Sequence, residues 1–112
     1  MKLVCELDVY KLAEDLSDMI WRDFDRWGSK VQNTIGYQVI RASDSIAANI
    51  AEGYGRYTPA DRKKFYLYSR GSSEETKAWL RKVISESSVA EYKTTIEKLG
   101  PKLNAFINST KT

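Results

Sequence analysis

The residues best placed to do chemistry in this chain are cations. Between Arg56 and Lys82 lie eight basic side chains against three carboxylates. Lys63, Arg70 and Lys77 recur at intervals of seven with Arg81 beside them, so one helix face would carry them all. Arg56, Lys63, Lys64, Arg70, Lys77, Arg81 and Lys82 are therefore candidate contacts to nucleic-acid phosphates, which clustered cations attract. Glu74 interrupts the stripe and can pair with Arg70 or Lys77 one turn away. The plain alternative is a solvated helix face. The charge is also polarised along the chain. Residues 1–27 hold four basic and seven acidic groups, and residues 28–112 hold fourteen and eight.

A reaction has less to work with. There is no histidine, which removes the usual general base and the commonest metal ligand. Cys5 is the only cysteine, so no intramolecular disulfide can form and a reducing cytoplasm is the natural setting. Glu52 and Arg41 could serve as an acid and an electrostatic clamp, but they sit about three helical turns apart. Gly53-Tyr54-Gly55 lacks the glycine spacing and the lysine of a phosphate loop. The reading is a protein that is not an enzyme, with no catalytic residue, cofactor or metal.

The elements that must position the cations are helices. The expected spans are about 8–27, 34–53, 59–87 and 89–108, within one domain over residues 1–112. Apolar content of 42% and charge of 29% suit a globular chain of this length. The opening MKLVCELDVY is unlike a signal peptide, and no apolar run reaches membrane-spanning length.

In the first helix Val9, Leu12, Leu16, Ile20, Phe24 and Trp27 make the core stripe. Tyr10 and Trp21 lie beside it, where an oligomer contact or ordinary partial exposure would both fit. Asp23 falls on the apolar side, either at a frayed end or paired with a base. Gly28 reads as the stop, and Asn33 or Thr34 as the next cap. A connection this short predicts an antiparallel pair.

The second helix is apolar nearly all round, as buried helices are. Val39, Ala42, Ile46 and Ile50 share one face, and Ile40, Ala47, Ala48 and Ala51 a second. Gln38, Arg41, Ser45, Asn49 and Glu52 leave a narrow polar stripe, expected to be satisfied across a helix interface. Thr58 with Pro59 reads as the start of the third helix. There Phe65, Tyr68, Ser72, Thr76, Trp79 and Val83 are expected to face the core, with the cations opposite. Ser69, Gly71, Ser72 and Ser73 suggest a waist where the second helix comes close. Tyr66, Leu80 and Ile84 form an extra apolar flank. Ser88 with Glu91 is a capping box for the fourth helix, whose stripe is Tyr92, Ile96, Leu99, Leu103 and Phe106. Pro101 is expected to kink that helix without ending it.

Gln38, Arg41-Ala42, Ser45-Ile46, the run Asn49 to Gly53, Gly55-Arg56, then Phe65, Gly71-Ser72 and Glu75 together resemble a known signature. It is that of the bacterial four-helix bundle proteins, a family named after proteins encoded in intervening sequences of 23S ribosomal RNA genes. The resemblance runs from about Leu7 to the C-terminus, with the NIAEGYGR run its most specific part. Ile40 stands where the family pattern often has a second arginine. The resemblance implies an all-α, up-down-up-down antiparallel four-helix bundle that assembles as a cyclic homopentamer. Related accessory variability proteins of diversity-generating retroelements use a similar pentamer to bind a reverse transcriptase and nucleic acid.

Tyr10, Trp21, Ile40, Ala47, Tyr66, Leu80 and Ile84 are the candidate oligomer-interface residues, since apolar flanks wider than one core needs call for a partner. Gln38, Arg41, Ser45, Asn49, Glu52, Gly53 and Gly55 are read as a structural motif. Two functions follow as expectations. One is an oligomeric scaffold that binds structured RNA or DNA through the basic face. The other is a protein-interaction module that docks an acidic or reverse-transcriptase-like partner.

Overall fold

Apolar residues every third or fourth position decide where this chain becomes helical, and its short polar breaks decide where each helix stops. The computed structural model describes residues 2–83 and 86–110, with 86–90 described by backbone alone. Among these residues the regular structure is entirely helical. A 3₁₀ turn at Val4–Glu6 precedes α1 (Asp8–Phe24). A helical lead-in, Ser29–Val31, and a π-helical turn, Gln32–Gly36, run into α2 (Tyr37–Tyr54). Then come α3 (Pro59–Val83) and α4 (Glu86–Ser109). The four long helices form a bundle of 44 × 23 × 21 Å. α2 packs on α1 and most closely on α3, and α4 packs on both α1 and α3.

α1 buries Val9, Ala13, Leu16 and Ile20. It ends earlier than the pattern predicts: the backbone N–H groups of Arg26 and Trp27 donate to Asp23 and Phe24 carbonyls in a tighter final turn. No described glycine has positive φ, so neither Gly28 nor Gly55 acts as a left-handed cap. The expected cap at Asn33 or Thr34 is also absent, because the chain is already helical from Ser29. The wide turn before α2 closes beneath the Phe24 ring. A Cβ on Gly36 would lie 2.9 Å from Phe24 Cε2 and 2.9 Å from the Val31 carbonyl oxygen, so only glycine fits. The Gln32 side chain ties the turn down by donating to the Phe24 carbonyl at 2.9 Å.

α2 buries Val39, Ala42, Ile46 and Ile50, all fully enclosed. Its last turn contains Gly53, which is a packing site and not a stop. A Cβ there would meet Tyr66 Cε1 at 2.7 Å and the Arg62 carbonyl oxygen at 2.9 Å. The end of α2 can press on the start of α3 only because nothing projects from that position.

α3 differs most from expectation. Tyr66, Ser69, Ser73, Thr76 and Leu80 are buried, whereas Phe65, Ser72, Trp79 and Val83 are half-buried and Tyr68 is exposed. The helix is turned by about one residue, roughly 100°, from the aromatic stripe. Its buried hydroxyls carry their own partners: Ser69 donates to the Ile46 carbonyl at 2.8 Å and Thr76 to Ser72 at 2.8 Å. Small, satisfied side chains let α2 and α3 approach closely. Tyr66 and Leu80, expected at an oligomer face, thus lie in the chain's own core, each 2% exposed. Gly71 is exposed and faces away from α2, so it is no part of the waist.

Thr58 does cap α3, its hydroxyl accepting the Asp61 N–H at 3.2 Å. α4 starts at Glu86, so Ser88 lies inside it, and it runs through Pro101, whose ring is exposed. α4 buries Tyr92, Leu99, Leu103 and Ile107. Ile84 and Ser85 lie outside the described residues, and residues 86–87, expected to end α3, belong instead to α4.

Candidate nucleic-acid interface

The seam between α3 and α4 collects the cations. Because the core face of α3 is turned, Lys63, Arg70, Lys77 and Arg81 lie beside the core, toward α4, and not opposite it. Arg70 reaches Asn104 on α4 at 3.5 Å. Lys77 and Arg81 line a groove of about 690 Å³ between the two helices, with Lys93 on the α4 side. Leu80, Tyr92, Ile96 and Pro101 also line it, and Glu74 and Glu97 sit among the cations. Lys77 is paired with Glu74 at 2.6 Å, and Lys93 approaches Glu97 at 4.0 Å. From Lys63 to Arg81 the row spans roughly 27 Å at the helical rise. Lys64 and Lys82 are exposed and stand off this row. Sequence reading missed Lys93, since nothing local says which side of α4 meets α3.

Arg56 lies at the other edge of α3. Its guanidinium pairs with Glu52 and stacks over the Phe65 ring at 4.5 Å. Its carbonyl accepts from Arg62 Nε at 2.8 Å. Arg56 is therefore built into the α2–α3 corner, unlike the cations of the seam.

The polar stripe of α2 is satisfied in two ways. Arg41 donates to Gln38 on its own helix and to Glu75 on α3, and Glu75 also accepts from Trp79 Nε1 at 3.3 Å. Ser45 and Asn49 instead bond back to their own helix, at the Arg41 and Ser45 carbonyls. Among the described residues, only the Arg41 end of the stripe crosses to a neighbouring helix.

Asp23 proves to be a paired carboxylate. It accepts from Arg22 Nε at 2.9 Å and from the Tyr92 hydroxyl at 2.5 Å, with Arg26 at 3.7 Å. The bonds from Arg22 and then Tyr92 outweigh its burial and hold it below the usual carboxylate range. Burial, then the bond to Asp23, pushes the Tyr92 hydroxyl well up. Arg22 also pairs with Glu91 at 2.9 Å, closing the α1–α4 end of the bundle.

The remaining apolar candidates share the outer α1–α2 seam. Ser17 on α1 bonds Asp44 on α2 midway along it. Tyr10, Ile40 and Ala47 are half-buried, and Trp21 is 66% exposed. Among the described residues no group of His, Cys, Asp and Glu is arranged to hold a metal, and no helix is long and apolar enough to cross a membrane.

A bundle of four long helices with a cationic seam and an apolar seam on its surface defines a small all-helical protein. The chain belongs to the 23S rRNA-intervening sequence protein family, whose model matches residues 5–105. No curated protein matches it.

Proposed function

We propose that this protein is a non-enzymatic, homo-oligomeric helical scaffold that binds structured RNA or DNA through the α3–α4 seam. The observation that carries the reading is the row Lys63, Arg70, Lys77, Arg81, joined from α4 by Lys93. Phosphate neutralisation by such a row is sequence-independent, and several copies in one assembly multiply it. The test is fluorescence anisotropy with labelled RNA from about 50 to 200 mM salt, where affinity should fall steeply. The Arg70→Ala/Arg81→Ala variant should bind more weakly and lower the salt slope by about two, one per charge. Binding that persists in 0.5 M salt, or none at low salt, contradicts it.

The assembly we propose is an antiparallel up-down-up-down bundle closed into a ring of five. The up-and-down order is supported by two ties: Arg22 at the end of α1 meets Glu91 near the start of α4, and Asp8 at the start of α1 meets Lys102 late in α4. A ring needs two different faces on each copy. Tyr10, Trp21, Ile40 and Ala47 along the α1–α2 seam would supply one. The outer face of α3 would supply the other, with Leu67, Gly71 and Ala78 exposed and open space where a Gly71 Cβ would stand. The reading puts the protein in the cytoplasm, supported by the single exposed thiol of Cys5.

A second reading is favoured by the apolar residues in the same groove. Ile96 and Pro101 would suit an acidic or reverse-transcriptase-like protein more than a phosphate backbone. A stoichiometric protein partner that stays bound after nuclease treatment, and is lost in Ile96→Glu, would favour this reading.

A further inference from the structure

We propose that the corner between α2 and α3 is a base-stacking platform for an unpaired nucleic-acid strand, separate from the α3–α4 seam. This rests on the nucleic-acid reading above and adds a strand preference to it. Aromatic rings and cations meet at this corner. Tyr57 is 94% exposed, the most exposed large apolar side chain described, and Tyr68 is 53% exposed. Tyr68 stands edge-on to Phe65, with ring centroids 5.6 Å apart. Arg56 covers one part of the Phe65 ring at 4.5 Å, and Lys64 approaches it at 5.3 Å. Arg62 reaches back to the Arg56 carbonyl, which fixes the turn that carries Tyr57.

Among the described residues Tyr57 makes no hydrogen bond or ring contact, and the one ring contact of Tyr68 is its edge-on meeting with Phe65. A tyrosine this exposed gives up apolar burial, and α3 already has its own core face. The acids at the corner are Glu52, paired with Arg56, and Asp61, against Arg56, Arg62 and Lys64. The local excess is one positive charge. Rings flanked by cations are the recognition chemistry of unpaired bases, whose faces stack while their phosphates are neutralised. A duplex hides its base faces, so it can use the cations but not the rings.

The test compares labelled single-stranded oligouridine of about 20 nucleotides with an RNA duplex of the same length in about 50 mM salt. Wild type should favour the single strand. Tyr57→Ala/Tyr68→Ala should weaken single-strand binding at least about tenfold and leave duplex binding unchanged. Tyr57→Phe/Tyr68→Phe keeps the ring faces and should bind as wild type. Arg70→Ala/Arg81→Ala should weaken both ligands. Ultraviolet crosslinking of the wild-type complex, which needs no variant to fold, should join the single strand to Tyr57 or Tyr68. Crosslinks only elsewhere, or equal losses on both ligands in the alanine variant, overturn the platform and leave the basic-seam reading standing. Failure of wild type to bind either ligand overturns both and leaves the corner to a protein partner.

Discussion

At the scale of single residues, the polar groups of this chain divide into those committed to the fold and those left exposed on its surface. Asp23 and Tyr92 belong to the first kind, and their bond makes stability depend on pH at both ends. Asp23 has a depressed folded value. Its contribution is complete above about pH 4, the unfolded value, and is lost as pH falls through the folded one. Tyr92 is the opposite case. Its contribution is complete below about pH 10 and is lost as pH rises toward the raised folded value. Tyr10 and Tyr66 are raised too, chiefly by burial, so Tyr92→Phe should flatten the alkaline limb only in part. It should also cost about 1.5–3 kcal/mol at neutral pH through the lost bond to a carboxylate. Urea unfolding at a series of pH values measures both effects. An alkaline slope identical to wild type would show that Tyr92 is not held neutral by the fold.

At the scale of elements, glycines report how closely the helices approach. Gly53→Ala forces a Cβ to within 2.7 Å of the Tyr66 ring and 2.9 Å of the Arg62 carbonyl oxygen. It should destabilise the protein by about 1–3 kcal/mol, the usual cost of overpacking. Gly71→Ala meets nothing within 4 Å and should stabilise an isolated subunit by about 1 kcal/mol through helix propensity. Melting temperatures of the two variants should therefore move in opposite directions in dilute, dissociated protein. A rise with Gly53→Ala would mean that α2 and α3 are not this close.

The same helices show what the sequence could and could not disclose. α2 was legible because Val39, Ala42, Ile46 and Ile50 repeat at helical spacing, while its second apolar face is mostly small alanines. α3 was not, because Phe65, Tyr66, Tyr68, Trp79 and Leu80 ring the helix and offer two apolar faces. The face that is buried is held by Ser69, Ser73 and Thr76. Ser69 can be buried because a carbonyl on another helix, that of Ile46, accepts its hydrogen bond, and no local pattern reveals that. The misplacement carried through to the site. The cations were identifiable by type and spacing, but their position beside α4 followed only from the true core face. The π-helical turn was equally hidden, since Gly36 reads as an ordinary glycine until Phe24 is seen above it.

At the scale of the whole molecule, the account is of a bundle with two kinds of surface. The α1–α2 seam and the outer face of α3 are read as contacts between copies, and the α3–α4 seam with the α2–α3 corner as contacts to nucleic acid. A ring would set five cationic seams around one axis, which turns a modest patch into a polyvalent one. The measurement that tests this most directly is light-scattering mass coupled to size exclusion, with the 260/280 nm absorbance ratio taken on the same peak. The account predicts a mass near five times the 12.8 kDa chain and a raised ratio that drops when salt is increased. A 12.8 kDa monomer with the ratio of protein alone would contradict it on both counts.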